Sequence, residues 1–292
     1  MAVIAMIAFH FTWDLGFFQL IDYDISFTPE GRWLSHAIAG TFLFLVGVSL
    51  ALAHRIQLQT RAFLKRFIKI AGAAALVSLG TYYAMPEEWI FFGVLHCIAL
   101  SSLLALPLLQ APLALVGLLA ILALSAPFVW TPALLDHPAL YWLGLNTTLP
   151  RTNDYVPLLP WFGIVGFGLL AARVMRDQAR CQALLAHPFA IPPARLLSRI
   201  GRYALPIYLL HQPVLMGALW VFVTFIGPFV LKPAIDPAFF ESCTQSCAAN
   251  GRGFESCDRA CRCLGHALAG SKIEADKAIQ DALAICRKDG AL

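Results

Sequence analysis

The feature that most constrains this chain is a series of apolar stretches, each about as long as a helix that crosses a bilayer. A bilayer core is about 30 Å thick and takes roughly 20 helical residues. The stretches lie near residues 1–21, 33–53, 64–84, 89–109, 112–130, 157–175 and 203–230. Backbone polar groups need internal partners in hydrocarbon, so such spans fold as helices. We therefore predict an all-α, polytopic transmembrane helix bundle of about seven spans.

The composition excludes an ordinary soluble domain. Hydrophobic residues make up 59% of the chain and charged residues 13%, and the mean hydropathy is +0.72. A soluble domain carries about 25% charged residues. The net charge of +4 does not indicate nucleic acid, because the Lys and Arg residues cluster at the ends of the apolar stretches. The expected partner is the lipid bilayer.

Loop charges predict the orientation of the spans. Basic residues concentrate in two regions, at Arg55, Arg61, Lys65, Arg66 and Lys69 and at Arg173, Arg176, Arg180, Arg195, Arg199 and Arg202. Both regions fall on the same side of a seven-span topology, and the positive-inside rule makes that side cytoplasmic. We therefore expect the N-terminus inside and the C-terminus outside. The N-terminal stretch is not expected to be a cleavable signal peptide, because it runs past signal length and contains two ionisable residues.

The last part of the chain, from about residue 232, is polar and rich in cysteine, unlike the apolar stretches before it. We predict a transmembrane domain at 1–231 and a cysteine-rich extracytoplasmic tail at 232–292. Six of the eight cysteines lie in this tail, at Cys243, Cys247, Cys257, Cys261, Cys263 and Cys286. Such a cluster forms either a disulfide framework or a metal site. An outside location favours disulfides, so no metal is expected.

The cysteine spacing favours a helical hairpin. Two pairs four residues apart flank a turn signal at 250–253, so each pair shares one helix face. This arrangement favours Cys243–Cys261 and Cys247–Cys257. Cys263 would then hold a third helix near 272–287 through Cys286. Fifteen connectivities are possible for six cysteines, so this pairing is a preference.

Two ionisable side chains lie one helical turn apart in the first stretch. His10 and Asp14 are four residues apart, which places them on one helix face. A buried carboxylate in hydrocarbon costs several kcal/mol unless it is paired or hydrated, so such a residue usually marks a working site. Histidine titrates near neutral pH and acts as a general acid or base. The pair therefore indicates proton handling.

Other polar residues in or beside the spans are candidates for substrate binding: Arg32, His36, His96, His211 and Gln212. A single membrane histidine often has a structural role. For His211 and Gln212, the alternative explanation is a helix kink at Pro213, whose freed backbone carbonyl needs polar neighbours. In the predicted orientation His10, Asp14, His36 and His96 all lie in the outer half. We expect them to line one polar cavity open to the outside.

Five segments together carry a family resemblance: 9–15 (FHFTWDL), 38–50 (IAGTFLFLVGVSL), 92–99 (FGVLHCIA), 159–163 (LPWFG) and 201–213 (GRYALPIYLLHQP). This set resembles bacterial relatives of the heparan-alpha-glucosaminide N-acetyltransferase catalytic domain (the DUF1624 group). Members of that family usually carry an Asp-x-x-Arg-Gly segment before the first span. This chain opens at Met1, immediately inside the helix.

The resemblance implies a membrane acyltransferase in a bacterial inner membrane, with a periplasmic tail. Acetyl-CoA or another acyl-CoA would bind from the cytoplasm as a co-substrate, with no tightly bound cofactor. The acceptor would be a sugar or glycan on the outer side. His10 would act as base or acyl carrier, and Asp14 would fix its tautomer and stabilise its charged form. A homo-oligomer is compatible with this assignment.

Two other functions fit the same residues. One is a proton-coupled transporter that uses His10 and Asp14 as a relay. The odd number of spans and the lack of a visible inverted repeat argue against it. The other is a non-catalytic membrane scaffold whose cysteine-rich tail binds a partner.

Overall fold

A computed structural model describes residues 2–18, 20–21, 25–54, 59–176, 201, 203–226, 237–249, 253–269, 284 and 286–287. Over these residues the regular structure is helical, without strands, which confirms the all-α prediction. The α-helices are α1 (Ala2–Phe17), α2 (Pro29–Ala53), α3 (Thr60–Ala84), α4 (Val94–Leu104), α5 (Leu113–Val129), α6 (Leu158–Arg176), α7 (Ala204–Ile226), α8 (Pro237–Ala249) and α9 (Phe254–Ala269). Short 3-10 helices occupy Ile25–Phe27, Pro86–Glu88, Pro107–Leu109, Ala133–Leu135 and Pro138–Leu143.

Each predicted apolar stretch overlaps one of the helices α1 to α7, and α2, α3 and α6 extend beyond their stretches. Within the described residues, three helices are long and apolar enough to cross a membrane by length and composition: Pro29–Ala53, Leu158–Met175 and Ala204–Phe225. The helices α1, α4 and α5 are apolar but shorter. Helix α3 is 25 residues long and carries basic residues over its first three turns. The total of seven spans and the orientation therefore stay predictions.

Helix α4 is shorter than the stretch at 89–109 predicts. It has 11 residues, begins after Gly93 and ends at Leu104. At its C-terminal end the reason is Pro107, which has no N–H and cannot continue a helix. The chain passes instead into the 3-10 helix Pro107–Leu109. At 1.5 Å per residue α4 covers about 16 Å, roughly half of a bilayer core.

The chain forms two compact units. The first unit consists of Met1–Met6 and Ser35–Leu210, and the second of Ile7–Leu34 and His211–Leu292. The predicted domain boundary at 231/232 lies outside the described residues.

Close approach of helices holds the first unit together. A Cβ added at Gly47 of α2 would lie 2.0 Å from the carbonyl oxygen of Val165 in α6. A Cβ at Gly168 would lie 2.0 Å from the carbonyl oxygen of Phe44. Small residues let membrane helices pack backbone to backbone, and the buried side chains of Leu43 and Val165 fill the adjacent core.

In the second unit, the tail forms a disulfide-bonded helical hairpin of α8 and α9. Disulfides join Cys243 to Cys261, Cys247 to Cys257, and Cys263 to Cys286. This is the pairing that the cysteine spacing favours. The guanidinium of Arg262 lies 4.6 Å from the ring centre of Phe240 and ties α9 to α8. Most of the predicted third helix at 272–287 lies outside the described residues.

Candidate active site

The first half of the candidate site is carried by α1. His10 and Asp14 are one turn apart, so both side chains project from the same face of the helix. Asp14 is fully buried, with 0% of its surface exposed, and His10 is partly buried. Both residues belong to the second unit.

The other half of the site is carried by α7. His211 is buried and lies next to Gln212, one residue before the in-helix proline Pro213. The ring centres of His10 and His211 are 4.9 Å apart, and the rings meet edge to face. The side-chain amide of Gln212 donates a hydrogen bond of 2.5 Å to Oδ1 of Asp14. We call these four side chains the His–Asp cluster.

The contacts inside the His–Asp cluster differ from the sequence expectation in one respect. Among the described residues no hydrogen bond joins His10 to Asp14, so Asp14 does not fix the tautomer of His10 directly. Side chains one turn apart on a helix stand side by side, about 6 Å apart, and both face the neighbouring helix. There the consecutive residues His211 and Gln212 supply one partner to each.

Two acceptor atoms in the cluster are buried without a donor. Oδ2 of Asp14 and Oε1 of Gln212 have no hydrogen-bond partner within the described part of the chain. A buried acceptor left unsatisfied costs about 1–3 kcal/mol. The arrangement therefore suits a ligand that brings N–H or O–H groups to these two oxygens.

Arg32 has a partner in the cysteine-rich tail. Its guanidinium lies 3.6 Å from a carboxylate oxygen of Glu255 in α9, within the second unit. Both side chains are substantially exposed, so this ion pair contributes little to stability. Its predicted contact with substrate stays a prediction.

His36 and His96 belong to the first unit, and their described contacts lie there. The His36 side chain is exposed, and its ring centre lies 5.6 Å from that of Trp161. His96 accepts a hydrogen bond from the backbone N–H of Gly93 at Nδ1, and its Nε2 lies 3.1 Å from the hydroxyl of Ser78. Both ring nitrogens of His96 are therefore engaged. The prediction that these histidines share one cavity with His10 stays a prediction.

The partly buried carboxylate of Asp154 has a role that its sequence context does not predict. Oδ2 of Asp154 accepts the backbone N–H of Val94 at 2.9 Å, at the start of α4. Burial raises the pKa of Asp154, and the hydrogen bond from Val94 opposes that rise. No local sequence pattern predicts the contact between Val94 and Asp154, because 60 positions separate the two residues.

The family of the chain follows from comparison with known proteins. The family model described as heparan-alpha-glucosaminide N-acetyltransferase, catalytic, matches residues 1–213. The matched range contains the whole His–Asp cluster and ends one residue after Gln212. No curated protein and no solved structure matches the chain. The match covers more than two thirds of the chain, and apolar helices run through it. The chain is therefore an integral membrane protein that belongs to the heparan-alpha-glucosaminide N-acetyltransferase catalytic family.

Proposed function

We propose that the protein transfers an acyl group, most simply acetyl, from acyl-CoA to a sugar or glycan acceptor on the outer side of a bacterial inner membrane. The observation that carries this proposal is the His–Asp cluster inside the family match. Two histidines in contact beside a buried carboxylate are suited to moving a proton in a water-poor site. The two unsatisfied acceptor oxygens suit the hydroxyl or amine hydrogens of an acceptor.

Two reaction sequences fit the cluster. In direct transfer, neutral His10 takes the proton of the acceptor while the acceptor oxygen or nitrogen attacks the thioester carbonyl. The carbon–sulfur bond breaks, and CoA leaves as the thiol with that proton. In the two-step route, an imidazole nitrogen attacks the thioester first, the carbon–sulfur bond breaks, and CoA leaves as the thiol. The acceptor then attacks the acyl-histidine, takes the acyl group and frees the imidazole. His211, in contact with His10, is placed to relay the proton in either route.

The test is acyl transfer by the purified protein from radiolabelled acetyl-CoA, with and without candidate sugars. We expect His10→Ala to lower the single-turnover rate by about 10²–10⁴-fold, the usual value of a general base. His211→Ala should lower it by a smaller factor, because it removes a relay partner. Label retained on the protein without acceptor identifies the two-step route.

Each helix offers a matched control. The hydroxyl of Thr12 in α1 bonds to its own helix at the carbonyl of Ala8, and that of Thr224 in α7 bonds to the carbonyl of Trp220. Thr12→Ala and Thr224→Ala should keep the wild-type rate. A wild-type rate in folded His10→Ala refutes the assignment of His10. Proton-coupled uptake into vesicles without acyl transfer establishes the transporter instead.

A further inference from the structure

A cavity of about 150 Å³ lies in the first unit, where α2 ends and α3 begins. Most of its wall is apolar, including Leu50, Phe63 and Phe67. The polar groups in the wall are His54, Gln59, Arg66 and Ser102. The cavity is therefore shaped for a ligand that combines a charged or polar group with an apolar or neutral body.

Arg66 gives this cavity an unbalanced positive charge. One of its N–H groups donates to the hydroxyl of Ser49 at 3.1 Å. No ion pair joins Arg66 to a carboxylate within the residues that the structure describes. A guanidinium has five N–H donors, and a partly buried cation without an anion is unfavourable.

The surroundings add positive charge. Arg61 and Lys65 line a second, more open concavity that shares Gln59 and Ala62 with the first. These basic residues stand in the first turns of α3, where the helix dipole is already positive and acidic residues are favoured. Burial and the charge of Arg66 lower the pKa of His54. A bound anion would compensate the positive charge of these side chains and of the helix N-terminus.

We propose that this cavity binds a phosphate ester, with Arg66 donating hydrogen bonds to the phosphate oxygens. Guanidinium matches phosphate in geometry and forms charge-assisted hydrogen bonds with it. The cavity holds a phosphate with a few attached atoms, and its apolar wall covers the ester side. Both the nucleotide end of CoA and a phospholipid headgroup present this group. The CoA source rests on the proposed function, whereas the phosphate chemistry does not.

The experiment is equilibrium binding to the purified protein in a phosphate-free detergent, at physiological ionic strength, where exposed charges are screened. The probes are coenzyme A and dihexanoyl phosphatidic acid. We expect wild type to bind at least one of them, and Arg66→Gln to weaken that binding about tenfold or more. Lys69→Gln is the matched control, because Lys69 is exposed on the same helix and lies outside the lining of both concavities. Its affinity should stay within about twofold of wild type.

The two probes separate the two sources. A loss confined to CoA assigns the site to the nucleotide, and a loss confined to phosphatidic acid assigns it to lipid. Wild-type affinity for both probes in folded Arg66→Gln overturns the proposal, and so does a wild-type protein that binds neither probe.

Two further variants keep the test decisive. Should Arg66→Gln fail to fold, Ala62→Leu fills the space between the concavities from an exposed helix position. Ala62→Leu must lose affinity in the same way, and unchanged affinity overturns the proposal. His10→Ala should bind both probes as wild type does. Wild-type protein that binds a phosphate probe but transfers no acyl group refutes only the proposed function.

Discussion

At the scale of the residue, the pairing of Asp14 with Gln212 decides whether α1 can hold a carboxylate in a buried position. Asp14 is fully buried, and the amide of Gln212 is its hydrogen-bond donor among the described side chains. Removing one partner of a buried pair leaves the other unsatisfied, whereas replacing both with apolar groups removes the problem.

We therefore predict a non-additive effect on stability. Gln212→Leu should lower the free energy of unfolding by about 1–3 kcal/mol, because it leaves Asp14 buried without its donor. The double variant Asp14→Leu with Gln212→Leu should be more stable than Gln212→Leu alone. Thermal melting of the four proteins of this cycle in one detergent measures the coupling. Losses of Asp14→Leu and Gln212→Leu that simply add in the double variant would show that the pair has no energetic role.

Two carboxylates in loops of the first unit should give opposite pH dependences. Burial raises the pKa of Asp154 above its usual 3.8. Its contribution to stability is therefore complete below that value and is lost as pH rises through the raised pKa. Asp154→Asn keeps an oxygen that can accept from Val94 but carries no charge. We expect the variant to lose less stability than wild type as pH rises from about 4 to 7.

Asp136 provides the control of opposite sign. Hydrogen bonds from the hydroxyl and backbone N–H of Thr147 hold its pKa below 3.8. Its contribution is present above that value and is lost as pH falls through the lowered pKa. Asp136→Asn should therefore melt below wild type at neutral pH, and the difference should shrink in acid. Melting temperatures across the pH range check both variants, and a shared direction would contradict the opposite pKa shifts of Asp154 and Asp136.

The sequence predicts only half of the candidate site. The four-residue spacing places His10 and Asp14 on one face without any structure. Gln212 lies 198 positions from Asp14, and no local pattern says which buried group it serves. Pro213 suggests a kink as readily as a binding site. The partner of Gln212 can therefore be identified only from the packed helices.

At the scale of the element, apolar periodicity locates the helices, and local chemistry sets their ends. The stretches predict the positions of α1 to α7, because a long apolar run in this composition has few alternatives to a helix. They overestimate the length of α4. One reason is that hydropathy carries no information about Pro107, which limits the C-terminal end of the helix. The hairpin of α8 and α9 is predictable because the cysteine spacing follows the helical period.

Helix packing gives a prediction at this scale. Gly47→Ala and Gly168→Ala each place a methyl group against a backbone carbonyl, so α2 and α6 must move apart. We expect each to lower the free energy of unfolding by about 1–3 kcal/mol. Gly72→Ala in α3 meets no atom within 4 Å and should be neutral or stabilising, since alanine favours a helix. Melting temperatures of the three variants test this, and a similar loss in all three would remove the packing explanation.

At the scale of the whole molecule, the family match and the disulfide-bonded tail are separate parts of the sequence. The match ends at residue 213, and the hairpin begins at Pro237. The hairpin is small, and its disulfides compensate for a limited apolar core. Disulfides persist in oxidising compartments, so the tail and the charged loops give independent arguments about orientation.

These arguments lead to the same topology. The basic residues of 54–66 and 176–200 predict a cytoplasmic location for both loops, and an odd number of spans would then place the tail outside. An alkaline phosphatase fused after Leu292 should be active, because that reporter needs an oxidising compartment. The same reporter inserted after Gln59 should be inactive, which makes it the control. Alkylation of the unreduced protein should find all six tail cysteines blocked. An inactive fusion at Leu292, or six labelled thiols, would place the tail inside and would require an even number of spans.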